Sequence, residues 1–305
     1  MSEFLSQIVN ALLLGCTYTL VAIGFSLFFG VLDVVVFCSG DIAIFGAFAL
    51  MGAYMIIATT GLINLPLVVI ILLLLVISCV LCAILGLLTY LFSIKPFEDA
   101  PPLMPLLSTI ALGIVIREGV GLFFPKGRNP QPFPELIPLG SIGGNAAFSF
   151  RNIFILAVTV VILIFLFTFL KKTKMGISMQ AIAQNRELAY MTGINLRSTV
   201  TFTFVLGGIL LSIAGFLIGS YSGVLRFDAG SMYGIKGFSA AVVGGLRSIY
   251  GAIAGGMLLG FIEVFVSGWF PNGASYASAI AFVVVVIFMV VKPEGILGEK
   301  TVEKV

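Results

Sequence analysis

The sequence predicts an all-α integral membrane protein: about eight transmembrane helices, a short broken half-helix segment, and one helix outside the bilayer. Three observations lead there. Hydrophobic residues make up 60% of the chain and charged residues only 10%, against roughly 45–50% and 25% in an ordinary soluble domain. The apolar residues fall in runs of about 20, the length that spans a hydrocarbon core of roughly 30 Å as a helix. Within the runs, apolar and polar residues do not alternate, so barrel strands are excluded. Helices then satisfy every backbone amide in lipid.

The first run is 8–31. The residues before it carry no basic cluster and the run is longer than a leader's apolar core, so it reads as a first membrane helix. Further runs cover 40–60, 66–92, 103–124, 152–170, 199–220, 249–268 and 275–291. The piece at 235–245 rises only about 16 Å, half the core. A broken crossing of that kind stands only where its backbone is buried in protein or faces water. The proline-rich stretches 95–105 and 125–151 read as a tight turn and a structured loop. The whole of 1–305 is one polytopic domain, with 171–198 a loop within it.

Lys and Arg set the orientation. Placing 171–198 and the C-terminal tail in the cytoplasm puts ten basic residues inside and four outside. That arrangement predicts a cytoplasmic C-terminus and an external N-terminus. Arg117 and Lys236 fall within or beside apolar segments.

Composition also excludes chemistry. The chain has no histidine, which removes His metal sites, Ser-His-Asp triads and His relays. Its basic residues lie in loops rather than on one face, against nucleic-acid binding. Cys79 and Cys82 form C-x-x-C inside an apolar run with no second pair, so they read as small packing residues. No G-x-x-x-x-G-K-[ST] occurs, so the chain is no P-loop ATPase. The G-x-x-x-G spacings at Gly251–Gly255 and Gly256–Gly260 read as close helix packing.

The segment 171–199 is long enough for a helix. Ile182, Leu188 and Met191 recur at roughly helical spacing, with Gln184, Asn185, Arg186 and Glu187 on other faces, and Gly193 is a helix stop. Such a helix lies on lipid or docks in a groove of a soluble partner.

Here the sequence resembles a known family. Gly176, Ala181, Gln184, Asn185, Arg186, Glu187, Ala189, Met191, Gly193, Ile194 and Asn195 look like the coupling-loop signature of branched-chain amino acid ABC transporter permeases of the LivH/LivM type. Three collinear blocks agree: 15–30, 234–263 and the closing KPEGILG at 292–298. Length and the first block fit the LivH-like member. The resemblance implies that 176–195 couples to a cytoplasmic ATPase. It implies a second, LivM-like permease, two ATP-binding subunits that hold ATP-Mg, and an extracytoplasmic solute-binding protein. It implies the cell membrane of a prokaryote and no cofactor on this chain.

One block departs. Where the family reads close to N-F-A-H-G-E, this chain has Val36, Phe37, Cys38, Ser39, Gly40 and Asp41. Asp41 then either faces a cavity or partner or caps the helix that follows. Ser39, Gly40, Asp41, Ser239, Gly244, Gly245 and Glu263 are the candidates for the translocation path. Glu263 calls for a basic partner, lines a subunit interface or meets the solute; Arg117 either pairs locally with Glu118 or snorkels outward; and Asp33 reads as a solvated turn residue. Urea or another short amide stands beside amino acids as the solute. A secondary transporter is the rival class, with Asp41 as its proton site and the broken segment at its midplane. A membrane enzyme would need clustered catalytic groups that this sequence lacks.

Overall fold

The structure, a computed structural model, describes residues 2–59, 66–98, 100–137, 140, 149–292 and 295–297. Residue 60 of the run read as 40–60, residues 138–139 and 141–148 of the loop 125–151, and residues 293, 294 and 298 of the closing motif lie outside the described residues, as do Lys300 and Lys304.

Among the described residues, eight helices are long and apolar enough to cross a membrane. They are α1 (Ser2–Leu32), α2 (Ser39–Thr59), α3 (Leu67–Thr89), α4 (Leu103–Phe123), α5 (Phe150–Lys172), α8 (Leu196–Ser222), α10 (Ile249–Trp269) and α11 (Gly273–Val291). A π turn, Tyr90–Ile94, prolongs α3. Between α5 and α8 lie two short helices, α6 (Lys174–Gln184) and α7 (Arg186–Met191). α9 (Ala229–Gly244) links α8 to α10. It has 16 residues, a rise of about 24 Å. The half-helix read at 235–245 therefore begins six residues earlier. Gly230, Ser231, Gly234 and Lys236 lower its hydropathy because this helix meets protein, not lipid.

The helices sort into two layers of burial. α1, α2, α8 and α9 form the centre, with α10 against α1 and α9. α3, α4, α5 and α11 are peripheral, and large apolar side chains such as Val115, Ile164, Phe165 and Val290 stand exposed on them. Those faces match hydrocarbon, which offers no penalty for exposed Leu, Val or Phe.

Small residues let the central helices touch. A Cβ at Gly215 would collide with the carbonyl of Ala43, and one at Gly255 with that of Ala240. The two G-x-x-x-G spacings serve two neighbours. Gly251 and Gly255 face α9, whereas Gly256 and Gly260 face Thr19 and Gly15 of α1. Close approach also satisfies hydroxyls: Ser78 Oγ donates to Gly46 O at 2.7 Å and lies 2.7 Å from Ser212 Oγ.

The two ends of the bundle are distinct. At one, Trp269 Nε1 donates to Gln7 Oε1 at 2.8 Å. There, after α4, β1 (Gln131–Pro132) pairs antiparallel with β2 (Val224–Leu225), which follows α8. At the other, Arg247 in the α9–α10 turn pairs with Asp33 after α1, and Ile296 N donates to Val243 O. α9 runs between these two ends, a 16-residue helix beside the long ones.

Candidate functional site

α2 starts inside the bundle rather than at its edge. After Asp33 the chain turns back, and Phe37 N donates to Thr109 Oγ1 at 3.3 Å. A Cβ on Gly113 would lie 3.4 Å from Cys38. Those α4 residues are about 9 and 15 Å along their helix. The first turn of α2, Ser39–Gly40–Asp41, is fully enclosed. A helix N-terminus carries unsatisfied N–H groups and the positive end of its dipole, so a carboxylate is stabilised there.

Asp41 has a partner beyond its own helix. Arg117 of α4 donates to it through Nε at 3.2 Å and through Nη2 at 3.5 Å. Asp41 is 5% exposed and Arg117 25%. This overturns the local Arg117–Glu118 pair: Glu118 accepts from Arg128 instead, at 3.4 Å. Glycines make room for the carboxylate. A Cβ on Gly230 of α9 would collide with Oδ1, and one on Gly113 would lie 2.7 Å from Oδ2. Gly40 packs against the Gly230 carbonyl and Gly234. Four helices thus meet at one ion pair: α2, α4 and the first turn of α9 directly, with α8 behind α2.

A second polar cluster lies about 9 Å further along α9, six residues after Gly230. Lys236 pairs with Glu263 of α10. Tyr18 of α1 donates to Glu263 Oε2 at 2.7 Å and accepts from Lys236 Nζ at 3.0 Å. Ser278 of α11 donates to Glu263 Oε1 at 3.1 Å. The side chains of Lys236 and Glu263 are 10% and 13% exposed. The basic partner expected for Glu263 is Lys236. Ser239 follows on the same helix and is buried. Gly244 and Gly245 instead form the tight α9–α10 turn. Gly245 has φ +110°, and Gly244 packs on the Gly251 carbonyl.

At the Asp33 end the expected single coupling helix is two. Asn185 is extended, φ −157° and ψ 111°, and its side chain accepts from Glu187 N and Leu188 N, both at 3.0 Å. It ends α6 and caps α7. Gly193, at φ +83°, closes α7, because a left-handed position after a helix favours glycine. Asn195 Oδ1 caps α8 by accepting from Ser198 N at 3.1 Å. Gly176 packs on the backbone of Phe169 and Leu170, seating α6 against α5. Ala189 is buried, Ala181 and Ile194 are half-buried, and Gln184, Arg186 and Glu187 are exposed. So are Leu188, Tyr190 and Met191, the last 79% exposed. Asp33 is exposed but paired with Arg247, so it is more than a solvated turn residue.

Residues 7–289 match the family described as the permease component of branched-chain amino acid transport systems. The chain belongs to that family. Among its relatives is the high-affinity branched-chain amino acid transport system permease protein BraD of Pseudomonas aeruginosa, 31% identical across 99% of this chain and 98% of the relative. LivH of Salmonella typhimurium shows the same identity and coverage. LivH of Escherichia coli K12 is 30% identical over the same shares. The match runs through both polar clusters and through α6 and α7. A multi-pass membrane permease is therefore the setting in which these ion pairs operate.

The sequence missed Arg117, Tyr18 and Ser278. A signal existed for the first. Asp41, Glu118 and Glu263 are carboxylates in apolar runs, and Arg117 and Lys236 are the cations there. Each buried charge needs an opposite one, but three carboxylates compete for two cations and the sequence alone does not choose.

Proposed function

We propose that the chain is a membrane-spanning subunit of an ATP-binding cassette importer for branched-chain amino acids. It works beside a second, LivM-like permease, two cytoplasmic ATP-binding subunits that hold ATP-Mg, and an extracytoplasmic solute-binding protein. The chain itself needs no bound cofactor. In this reading it sits in the cell membrane of a prokaryote, with α6, α7 and the C-terminus cytoplasmic and the N-terminus outside.

One observation carries the coupling role. Leu188, Tyr190 and Met191 stand exposed on α7, outside the membrane spans and capped at both ends of the helix. Three large apolar side chains on so short a helix are a poor surface for water and a good one for a partner's groove. Gln184, Asn185, Arg186 and Glu187 form the polar rim of that surface. Nucleotide-driven movement of the ATPase would reach α5 and α8 through Gly176, Gly193 and Asn195, which fix α6 and α7 to them. The solute would pass between the two permeases, alongside α2 and α9. Ser39, Gly40 and Asp41 border that path at the start of α2. Ser239 borders it along α9, Glu263 holds α10 beside it through Lys236, and Gly244 and Gly245 form its hinge.

The test is a pull-down of the tagged chain from native membranes, beside Glu187→Ala and Met191→Ser variants, with leucine uptake measured in vesicles. The expected result is co-purification of ATPase subunits with the wild type, their loss from the variants, and ATP-dependent uptake. A chain that purifies alone and moves leucine without ATP would be a secondary transporter. ATP-dependent uptake of urea but not leucine would retain the importer and replace its solute.

A further inference from the structure

A pocket of about 390 Å³ opens at the Asp33–Arg247 end, between α1, α5, α6 and the start of α10. Its lining divides by chemistry. Leu27, Phe167 and Leu170 give it an apolar wall, while Lys171 and Arg247 give it two cations, and no carboxylate lines it. Arg247 is engaged with Asp33 and with Ala183 O. Lys171 is not: its Nζ lies 6.0 Å from the Tyr250 ring centroid, and no salt bridge holds it among the described residues.

A second observation points to a ligand. Ser26 lines the pocket and is 2% exposed, yet its Oγ has no hydrogen-bond partner among the described residues. A buried hydroxyl without a partner is costly, and native structures rarely leave one so. Here an acceptor entering the pocket would satisfy it. On α5, Lys171 follows Ile164 and Phe165, which are exposed and apolar. A ligand held by Lys171 could therefore continue along a hydrocarbon-facing surface.

We infer that this pocket takes the phosphate of an anionic phospholipid. Lys171 is its main counter-charge, Ser26 Oγ and the Gln180 amide are its neutral donors, and the acyl chains follow the apolar face of α5. A soluble anion would not need the apolar wall. A zwitterionic lipid would bring its own cation next to Lys171 and Arg247. Basic pockets between helices at a membrane face suit acidic headgroups. The inference depends on the membrane setting and on none of the coupling or solute assignments.

Native mass spectrometry of the full chain in detergent tests it. Phosphatidylglycerol is titrated in, with phosphatidylcholine as the zwitterionic lipid of no net charge and glycerol phosphate as the headgroup alone. Retention of one phosphatidylglycerol per chain in preference to phosphatidylcholine is expected. Lys171→Gln, an exposed change that leaves the fold intact, should weaken it about fivefold. Ser26→Ala should weaken it about threefold. Lys172→Gln, outside the lining, should leave it unchanged. Equal retention of both lipids, or an equal loss from the two lysine variants, would overturn the site. Glycerol phosphate binding as tightly as phosphatidylglycerol would make it a soluble-anion pocket and overturn the lipid assignment.

Discussion

The two buried ion pairs of the bundle are built differently. Lys236–Glu263 is the more fully hydrogen-bonded of the two. Tyr18 and Ser278 donate to the carboxylate, and four helices contribute: α1, α9, α10 and α11. Asp41–Arg117 is more open. Among the described residues no third side chain supports it, and Arg117 is a quarter exposed. Its carboxylate sits at a helix start and is walled by glycines. A charge pair with all its hydrogen bonds filled fixes helices in one register. A pair with a free guanidinium edge can exchange its partner. The first reads as a lock and the second as a group that meets the solute.

Breaking the lock should have the largest effect. Glu263→Gln leaves Lys236 charged and unpaired in the bundle, at a cost of about 3–5 kcal/mol. The variant should melt far below wild type in detergent and assemble poorly. Lys236→Met combined with Glu263→Gln removes both charges and should recover most of that loss. A single variant as stable as wild type would mean that water reaches the cluster, and the contrast between the two pairs would collapse.

Glycine substitutions sharpen the same contrast at smaller magnitude. Gly40→Ala puts a Cβ into the Gly230 carbonyl and the backbone of Gly234, so α2 and α9 must separate beside Asp41. Overpacking of this kind costs about 1–3 kcal/mol. Gly119, on the other face of α4, has nothing within 4 Å of an added Cβ. Gly119→Ala should be neutral or stabilising by up to about 1 kcal/mol, the difference in helix propensity. Thermal melts of the two variants in one detergent decide it, and equal midpoints would remove the close α2–α9 contact from the account.

The eight long helices are legible in the sequence because lipid tolerates only long apolar runs, and each run lies within a few residues of its helix. Legibility fails where a helix meets protein instead. α9 packs by Gly230, Gly234 and Gly237 against α2 and α1, so its first turns look like a loop to hydropathy. The break at Asn185 is hidden for another reason. An asparagine between helical segments is compatible with a helix interior or an N-cap, and only the backbone decides which. The Asp41 block was visible as a departure from its family. Its depth was not, because the return of residues 34–38 into the bundle leaves no periodic mark. The pairing of Arg117 and Lys236 with Asp41, Glu118 and Glu263 was likewise open until helix neighbours were known.

The finest test of the comparison is Asp41→Asn. The amide keeps the shape of the carboxylate and can still accept from Arg117, so the glycine walls remain filled. Arg117 loses its counter-charge but is exposed enough to be hydrated. The stability cost is then about 1 kcal/mol, the value of one hydrogen bond with a charged partner weakened to a neutral one. Complex assembly should survive. Transport should not, if the charge at the start of α2 is what the solute encounters. Measuring leucine uptake and the melting midpoint on the same preparation separates the two contributions. A lowered midpoint with unchanged uptake would make Asp41 a structural residue like Glu263. An unchanged midpoint with lost uptake would place the Asp41 side chain on the path.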